Sequence, residues 1–229
     1  MIEVKDLRKV YPMGDERVVA LRRINLQIKR GEICCIFGTS GSGKSTLLNQ
    51  LAGLEKPTKG TVTIADVPVS ALNETQLARF RQQYTGFVFQ AYNLLPNLTI
   101  LENVALPLMF RGMPKRKRQK IAADMLRRVG LANRMKHYPG QISGGQQQRA
   151  GIARAFVTRP AVIFADEPTG NLDSKTTREV MEMICGFARQ YHQTIVMVSH
   201  DPEMASYADH VITLLDGEIV KEEYQEETK

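Results

Sequence analysis

The sequence predicts an α/β fold with a helical segment inserted into it, and three observations carry that expectation. Ile33–Phe37 is a continuous apolar run that ends at Gly38, the pattern of a strand buried on both faces. Two more apolar runs, Val162–Ala165 and Thr194–Ser199, recur far along the chain, each after a segment with helical character. From about Ala91 to Thr158 the pattern is nearly all helix, while strands dominate on either side.

Taken in order, Ile24, Leu26 and Ile28 alternate with polar residues and predict a half-buried strand. It belongs to a β-rich N-terminal edge that adds a small antiparallel layer. A helix is expected from Lys44 to Leu51, then short strands at Thr61–Ile64 and Phe87–Phe89, with Asn73 capping a helix that reaches Tyr84. Thr99-Ile100-Leu101-Glu102 and Ser143-Gly144-Gly145-Gln146 both have capping-box form. In such a box the hydroxyl accepts from a free helix N–H and the acid or amide reaches back to the cap's own N–H. Pro114 suits the first position of a helix that Gly130 ends, and Pro160 stops another before Val162–Ala165. Val211–Leu215 and Glu218–Val220 flank Asp216-Gly217, a two-residue hairpin signal. The expected division is one domain with an α/β core of 1–90 and 159–229 and a helical subdomain of about 91–158.

At 229 residues, with 43% hydrophobic and 24% charged, the chain can bury a proper core. The longest apolar runs are far too short to span a bilayer, and the N-terminus lacks a basic start with an apolar stretch behind it. A cytoplasmic protein is expected. Cys34, Cys35 and Cys185 show no paired spacing, which suits a reducing compartment and argues against disulfides and a zinc site. Much of the net charge of +7 comes from Lys115-Arg116-Lys117-Arg118-Gln119-Lys120, read as a solvated helix start. Anionic lipid headgroups are the second reading of that run, and nucleic acid is not expected as a partner. The tail from Lys221 to Lys229 has little to bury.

Three motifs carry chemistry. Gly38-Thr39-Ser40-Gly41-Ser42-Gly43-Lys44-Ser45-Thr46 fits the phosphate-binding P-loop, with a buried strand before it and a helix after it. Glycines let successive backbone N–H groups turn toward phosphate, and the helix start adds favourable partial charge. Lys44 is expected to reach the β- and γ-phosphates, and the Ser45 hydroxyl to bind Mg²⁺. Asp166 and Glu167 follow the strand Val162–Ala165, at the strand end where open α/β sheets bind ligands. Asp166 is placed to hold Mg²⁺ through water, and Glu167 to polarise an attacking water. Ser143-Gly144-Gly145-Gln146 is a second anion trap, a capped helix start whose glycines expose N–H groups.

This last stretch, preceded by Ile142, resembles the signature of the ABC ATPase family, and the resemblance runs from Tyr11 to about Val220. It implies a P-loop NTPase core of RecA-like type with an antiparallel β edge and an inserted helical subdomain. It also implies Mg²⁺-dependent hydrolysis of ATP by a homodimer, in which Ser143, Gly144, Gly145 and Gln146 close on nucleotide bound to the second copy. By the same resemblance Gln90 contacts Mg²⁺ and the attacking water, and His200 contacts the γ-phosphate. Asn171-Leu172-Asp173 crosses the dimer interface, and Tyr11 stacks on adenine. Val19-Ala20-Leu21, the stretch from Phe87 to Pro96 and the stretch from Ala165 to Asp173, above all its Gly170-Asn171-Leu172-Asp173, are similar to the LolD/MacB/FtsE group. That likeness implies a permease partner with a large extracytoplasmic domain, a place on the inner face of the membrane, and an export or lipoprotein-release role. An ATPase that signals in cell division without moving a substrate is the alternative. Leu94, Leu95, Leu98, Leu101, Val104, Leu106, Leu108, Met109 and Phe110 are expected to offer the permease an apolar docking surface.

Overall fold

A computed structural model describes residues 1–14 and 16–225. The described chain forms two compact units, one from Met1–Arg81 together with the segment that begins at Thr194, the other from Gln82–Gln193.

In the first unit β1 (Ile2–Met13) lies between β2 (Glu16–Ile28) and β4 (Lys59–Ile64) in an antiparallel sheet. Register puts like beside like. Ile2 faces Ile28 on one side and Ile64 on the other, and Val4 faces Leu26 and Val62 in the same way. All six are buried, so the alternation seen at Ile24, Leu26 and Ile28 is one row of a larger apolar face. Register shifts interrupt β1 after Val4 and after Lys5, where Asp6 has φ 47°. Gly60 must be glycine there, because a Cβ would run into the Asp6 carbonyl.

The other sheet of this unit is centred on β3 (Ile33–Phe37), parallel to both β7 (Thr194–Ser199) and β8 (His210–Leu215). A central parallel strand is covered on both faces, which is why Ile33, Cys34, Cys35 and Ile36 are all buried. β9 (Glu218–Tyr224) returns antiparallel to β8 through Asp216 and Gly217, both at positive φ (47° and 76°), as a two-residue turn requires. Helices α1 (Lys44–Leu51), α2 (Glu74–Tyr84) and α7 (Pro202–Ala205) complete the elements that begin in this unit. Asn73 caps α2 as expected, its Oδ1 accepting from the Gln76 N–H at 2.9 Å.

β9 runs past the expected Glu218–Val220 into Lys221–Tyr224, a segment that stays exposed, as a tail with little to bury should, yet carries a polar contact to β8. Glu222 Oε1 lies 2.9 Å from Nε2 of the fully buried His210, whose Nδ1 is 2.8 Å from Glu32 Oε1. Tyr224 stacks on the imidazole with ring centroids 4.3 Å apart. The remainder of the tail, 226–229, lies outside the described residues.

The second unit pairs β5 (Thr85–Phe89) with β6 (Val162–Asp166) in parallel and adds helices α3 (Ile100–Phe110), α4 (Lys115–Arg128), α5 (Gly144–Phe156) and α6 (Ser174–Tyr191). Both predicted capping boxes form, Thr99 with Glu102 and Ser143 with Gln146. Pro114 is the cap of α4 and sits one position before the first helical residue. Its φ of −56° suits the helix but its ψ of 143° is extended. Gly130 (φ 75°) ends α4 as expected. Its N–H donates to Arg127 O at 3.1 Å while the Leu131 N–H donates to Leu126 O at 2.8 Å, the paired bonds of a Schellman stop.

Candidate functional site

The first unit holds the phosphate loop. The chain leaves β3 at Gly38 and enters α1 at Lys44, with Gly41 at φ 81° and Gly43 at φ 102°. A Cβ on Gly38 would strike the Leu214 carbonyl, and one on Gly43 would lie 2.7 Å from Ala20 O. Glycine at these places lets the loop press against β2 and β8 while its other side stays open. The Ser42 carbonyl accepts from the Gly217 N–H at 3.0 Å, so the hairpin turn braces the loop. Gly43 caps α1 without a side chain, which leaves the first helix N–H groups to an anion.

Lys44 is buried to 6% exposure, with Nζ donating to Thr39 O at 2.7 Å. The ammonium is thereby held over the loop. Ser42 Oγ is buried and has no hydrogen-bond partner among the described residues. A cradle that side chains would fill, an inward ammonium and an orphaned hydroxyl fit the phosphates of a nucleoside triphosphate. Ser45, in the first turn of α1, is exposed, and so are Thr39, Ser40 and Gly41, while Thr46 is half-buried. His200 directly follows β7, whose Ser199 pairs with Phe37, so it stands at the same sheet end as Gly38.

Tyr11 lies inside β1, opposite Val18 of β2. Its hydroxyl donates to Glu55 Oε2 at 2.6 Å, and Lys9 Nζ stands 4.9 Å from the ring centroid. Burial, and then Glu55, push the phenol above its ordinary value, while a hydrogen bond with Thr46 works the other way. That contact places Tyr11 beside α1.

The second unit gathers the other candidates. Phe89 pairs with Asp166, so Gln90 and Glu167 are the residues at which two neighbouring strands end. Glu167 has φ 42°, and its carbonyl accepts from the Gly170 N–H at 3.1 Å in a tight turn. Asp173 caps α6, accepting from the Thr176 N–H at 3.0 Å and the Thr176 hydroxyl at 2.7 Å. The side-chain bond from Thr176, then its backbone bond, hold the Asp173 carboxyl below the usual range.

Ser143 Oγ accepts from the Gln146 N–H at 3.3 Å, and Gln146 Oε1 accepts from the Ser143 N–H at 3.1 Å. A Cβ on Gly144 would lie 2.8 Å from Tyr92 Oη, and one on Gly145 would lie 2.9 Å from Thr176 Cγ2. Both glycines are therefore needed for close packing as well as for exposed N–H groups. Buried Gln148 donates from Nε2 to the Pro168 carbonyl, tying α5 to the turn after Glu167. Arg154 donates to the carbonyls of Asn93 and Tyr92, two residues at positive φ (48° and 58°). Sequence reasoning passed over Gln148 and Arg154, since their partners lie 20 and 61–62 positions away and no local spacing signals them.

Comparison with known proteins agrees with these motifs. A family model described as ABC transporter matches residues 21–170. An uncharacterized ABC transporter ATP-binding protein of Methanocaldococcus jannaschii is 49% identical over 221 residues, covering 96% of this chain and 98% of that protein. The macrolide export ATP-binding/permease protein MacB of Shigella flexneri is 46% identical over 96% of this chain but only 34% of its own length. The chain thus spans about a third of that relative. Among solved structures, the dimeric ATP-binding cassette MJ0796, in a post-hydrolysis state bound to ADP and Pi, has a TM-score of 0.91 at 43% identity and 98% coverage of both chains. The cbiO1 subunit of the ABC transporter complex cbiONQ from Clostridium perfringens has a TM-score of 0.86 at 28% identity, covering 97% of this chain and 88% of that one.

Proposed function

This chain belongs to the ABC transporter family as an ATP-binding cassette, and from that premise we propose that it hydrolyses ATP as a pair of identical subunits to drive a membrane permease. The observation that carries the reading is the capped helix start Ser143–Gln146. It offers a second anion trap in a different compact unit from the phosphate loop. By the family resemblance this trap closes on nucleotide held by a second copy, so each copy supplies one trap to each triphosphate. The MJ0796 structure, dimeric and bound to ADP and Pi, supports this.

The phosphate loop binds and orients the triphosphate through its backbone N–H groups and Lys44. Tyr11 presents an aromatic face to the adenine. Ser45, Asp166 and Gln90 are oxygen donors suited to Mg²⁺, which when bound neutralises phosphate charge. Glu167 accepts a proton from the attacking water, and its left-handed backbone turns it away from the line of β6. His200 donates to the terminal phosphate. Asp173 lies on the surface that meets the second copy.

MacB joins ATP-binding and permease functions under a name for macrolide export, which supports a permease partner and an export role here, while a lipoprotein-release role rests on the likeness to the LolD/MacB/FtsE group. Such a permease, with a large extracytoplasmic domain, holds the chain at the inner face of the membrane. Among the described residues no helix is long and apolar enough to cross it.

Glu167→Gln tests the reading. Mg²⁺-dependent turnover is expected to fall by ~10²–10⁴-fold with ATP binding kept. In sedimentation the variant should be monomeric without nucleotide and dimeric with ATP. Near-normal turnover, or no association with ATP, overturns the proposal.

A further inference from the structure

Gly170 and Asn171 have no part in hydrolysis in the roles given above. They lie in a segment fixed at both ends. Glu167 O accepts from the Gly170 N–H, and Asp173 is locked as the cap of α6. From this fixed segment two contacts reach Gln90, 81 residues earlier in the chain. Asn171 Nδ2 donates to the Gln90 carbonyl at 3.1 Å, and Asn171 Oδ1 faces Gln90 Nε2 at 3.5 Å. Gly170 lies against the same side chain. A Cβ added there would be 2.7 Å from Gln90 Nε2 and 3.2 Å from Cδ.

The glycine requirement is not a backbone one, since Gly170 is absent from the residues at positive φ. An alanine at 170 meets no backbone strain and no rigid neighbour. It meets the end of a flexible side chain, which can swing away. The absence of a Cβ thus decides where the Gln90 carboxamide points, at little cost to folding. That carboxamide is half-buried and stands beside the turn that carries Glu167.

We infer that Gly170 and Asn171 are positioning residues for hydrolysis. Gly170 leaves room for one orientation of the Gln90 carboxamide, and Asn171 fixes its backbone, so that Gln90 and Glu167 are set relative to each other by one short segment. This rests on the hydrolytic roles given to Gln90 and Glu167 above. Misplacing a group by about 1 Å costs up to ~10²-fold in rate, so a single methyl is enough to matter.

The test combines kinetics with a readout that needs no nucleotide. Steady-state ATPase rates are measured for Gly170→Ala, Asn171→Ala, Gln90→Ala and the Gly170→Ala/Gln90→Ala double variant. The Gln90 side-chain amide signals are followed in ¹⁵N spectra of the nucleotide-free proteins, assigned by their loss in Gln90→Ala. Gly170→Ala should lower kcat by ~10-fold or more and Asn171→Ala by roughly 5-fold, with KM for ATP changed by no more than about 2-fold. Both should shift the Gln90 amide signals. In the Gln90→Ala background, Gly170→Ala should lower the rate no further, because the methyl then has nothing to displace. Unmoved Gln90 signals in Gly170→Ala overturn the inference while leaving the hydrolytic reading intact, and so does an equal rate loss in both backgrounds. A Gln90→Ala enzyme at full rate instead overturns the role of Gln90, and the inference falls with it.

Discussion

Tyr11 and Glu55 are joined by a 2.6 Å hydrogen bond from the phenol to the carboxylate, which fastens β1 to the segment leaving α1. Lys9 completes the cluster, 3.1 Å from Glu55 and 4.9 Å from the Tyr11 ring centroid. Asn49 donates to the other Glu55 oxygen at 3.2 Å. The ring proposed to meet adenine is therefore held by a carboxylate with three donors.

This cluster sets a pH dependence. Burial alone would raise the Glu55 carboxyl, but hydrogen bonds from Tyr11, Lys9 and Asn49 outweigh it and hold the group below its ordinary value. A carboxyl depressed in the folded state stabilises above its unfolded pKa and loses that contribution as pH falls through the folded one. Glu55→Gln should therefore cost at most ~1 kcal/mol at neutral pH, because the group is partly exposed. The difference from the parent should shrink from about pH 4 downward. Urea unfolding of both proteins at several pH values measures it, and a difference that grows on acidification would contradict the assignment.

The thiols give a second prediction. Burial pushes Cys35 up to about 12, and burial with the neighbouring Cys35 and Glu32 pushes Cys34 well above its ordinary value. Alkylation proceeds through the thiolate. Iodoacetamide at pH 8 should modify at most the half-buried Cys185 in the native protein, and all three thiols after denaturation. Mass spectrometry showing rapid native modification of Cys34 or Cys35 would mean that β3 is not packed as described.

A third concerns the permease contact. Val104 and Leu108 are buried within the second unit, which removes them from the expected docking surface. Leu95 (49% exposed), Met109 (41%) and Phe110 (64%) remain on the surface. Leu95→Asp and Phe110→Asp should leave basal hydrolysis within about 2-fold and lower stimulation by the co-purified permease in lipid by ~10-fold, since a charge replaces an exposed apolar side chain that the permease would cover. Undiminished stimulation in both variants would place the docking site elsewhere.

The sequence by itself determined those features whose partners are close in the chain. Ser143 and Gln146, Thr99 and Glu102, Gly130 after α4, and the Asp216-Gly217 turn all form as their spacing requires. Each depends on backbone groups within a few residues, so local geometry is enough to specify it. The phosphate loop was legible for the same reason, its glycines and Lys44 acting within one turn. Only tertiary structure decided what holds these pieces to one another. Gln90 meets Asn171, Gly144 meets Tyr92, Gly145 meets Thr176, and β9 is anchored by Glu222 against His210. Apart from the last, these are contacts between residues 31 or more positions apart, as the 81-residue separation of Gln90 and Asn171 illustrates. Their specificity comes from which strands and helices pack side by side. A glycine or an amide looks the same in a sequence whether it faces solvent or the one side chain that it must accommodate.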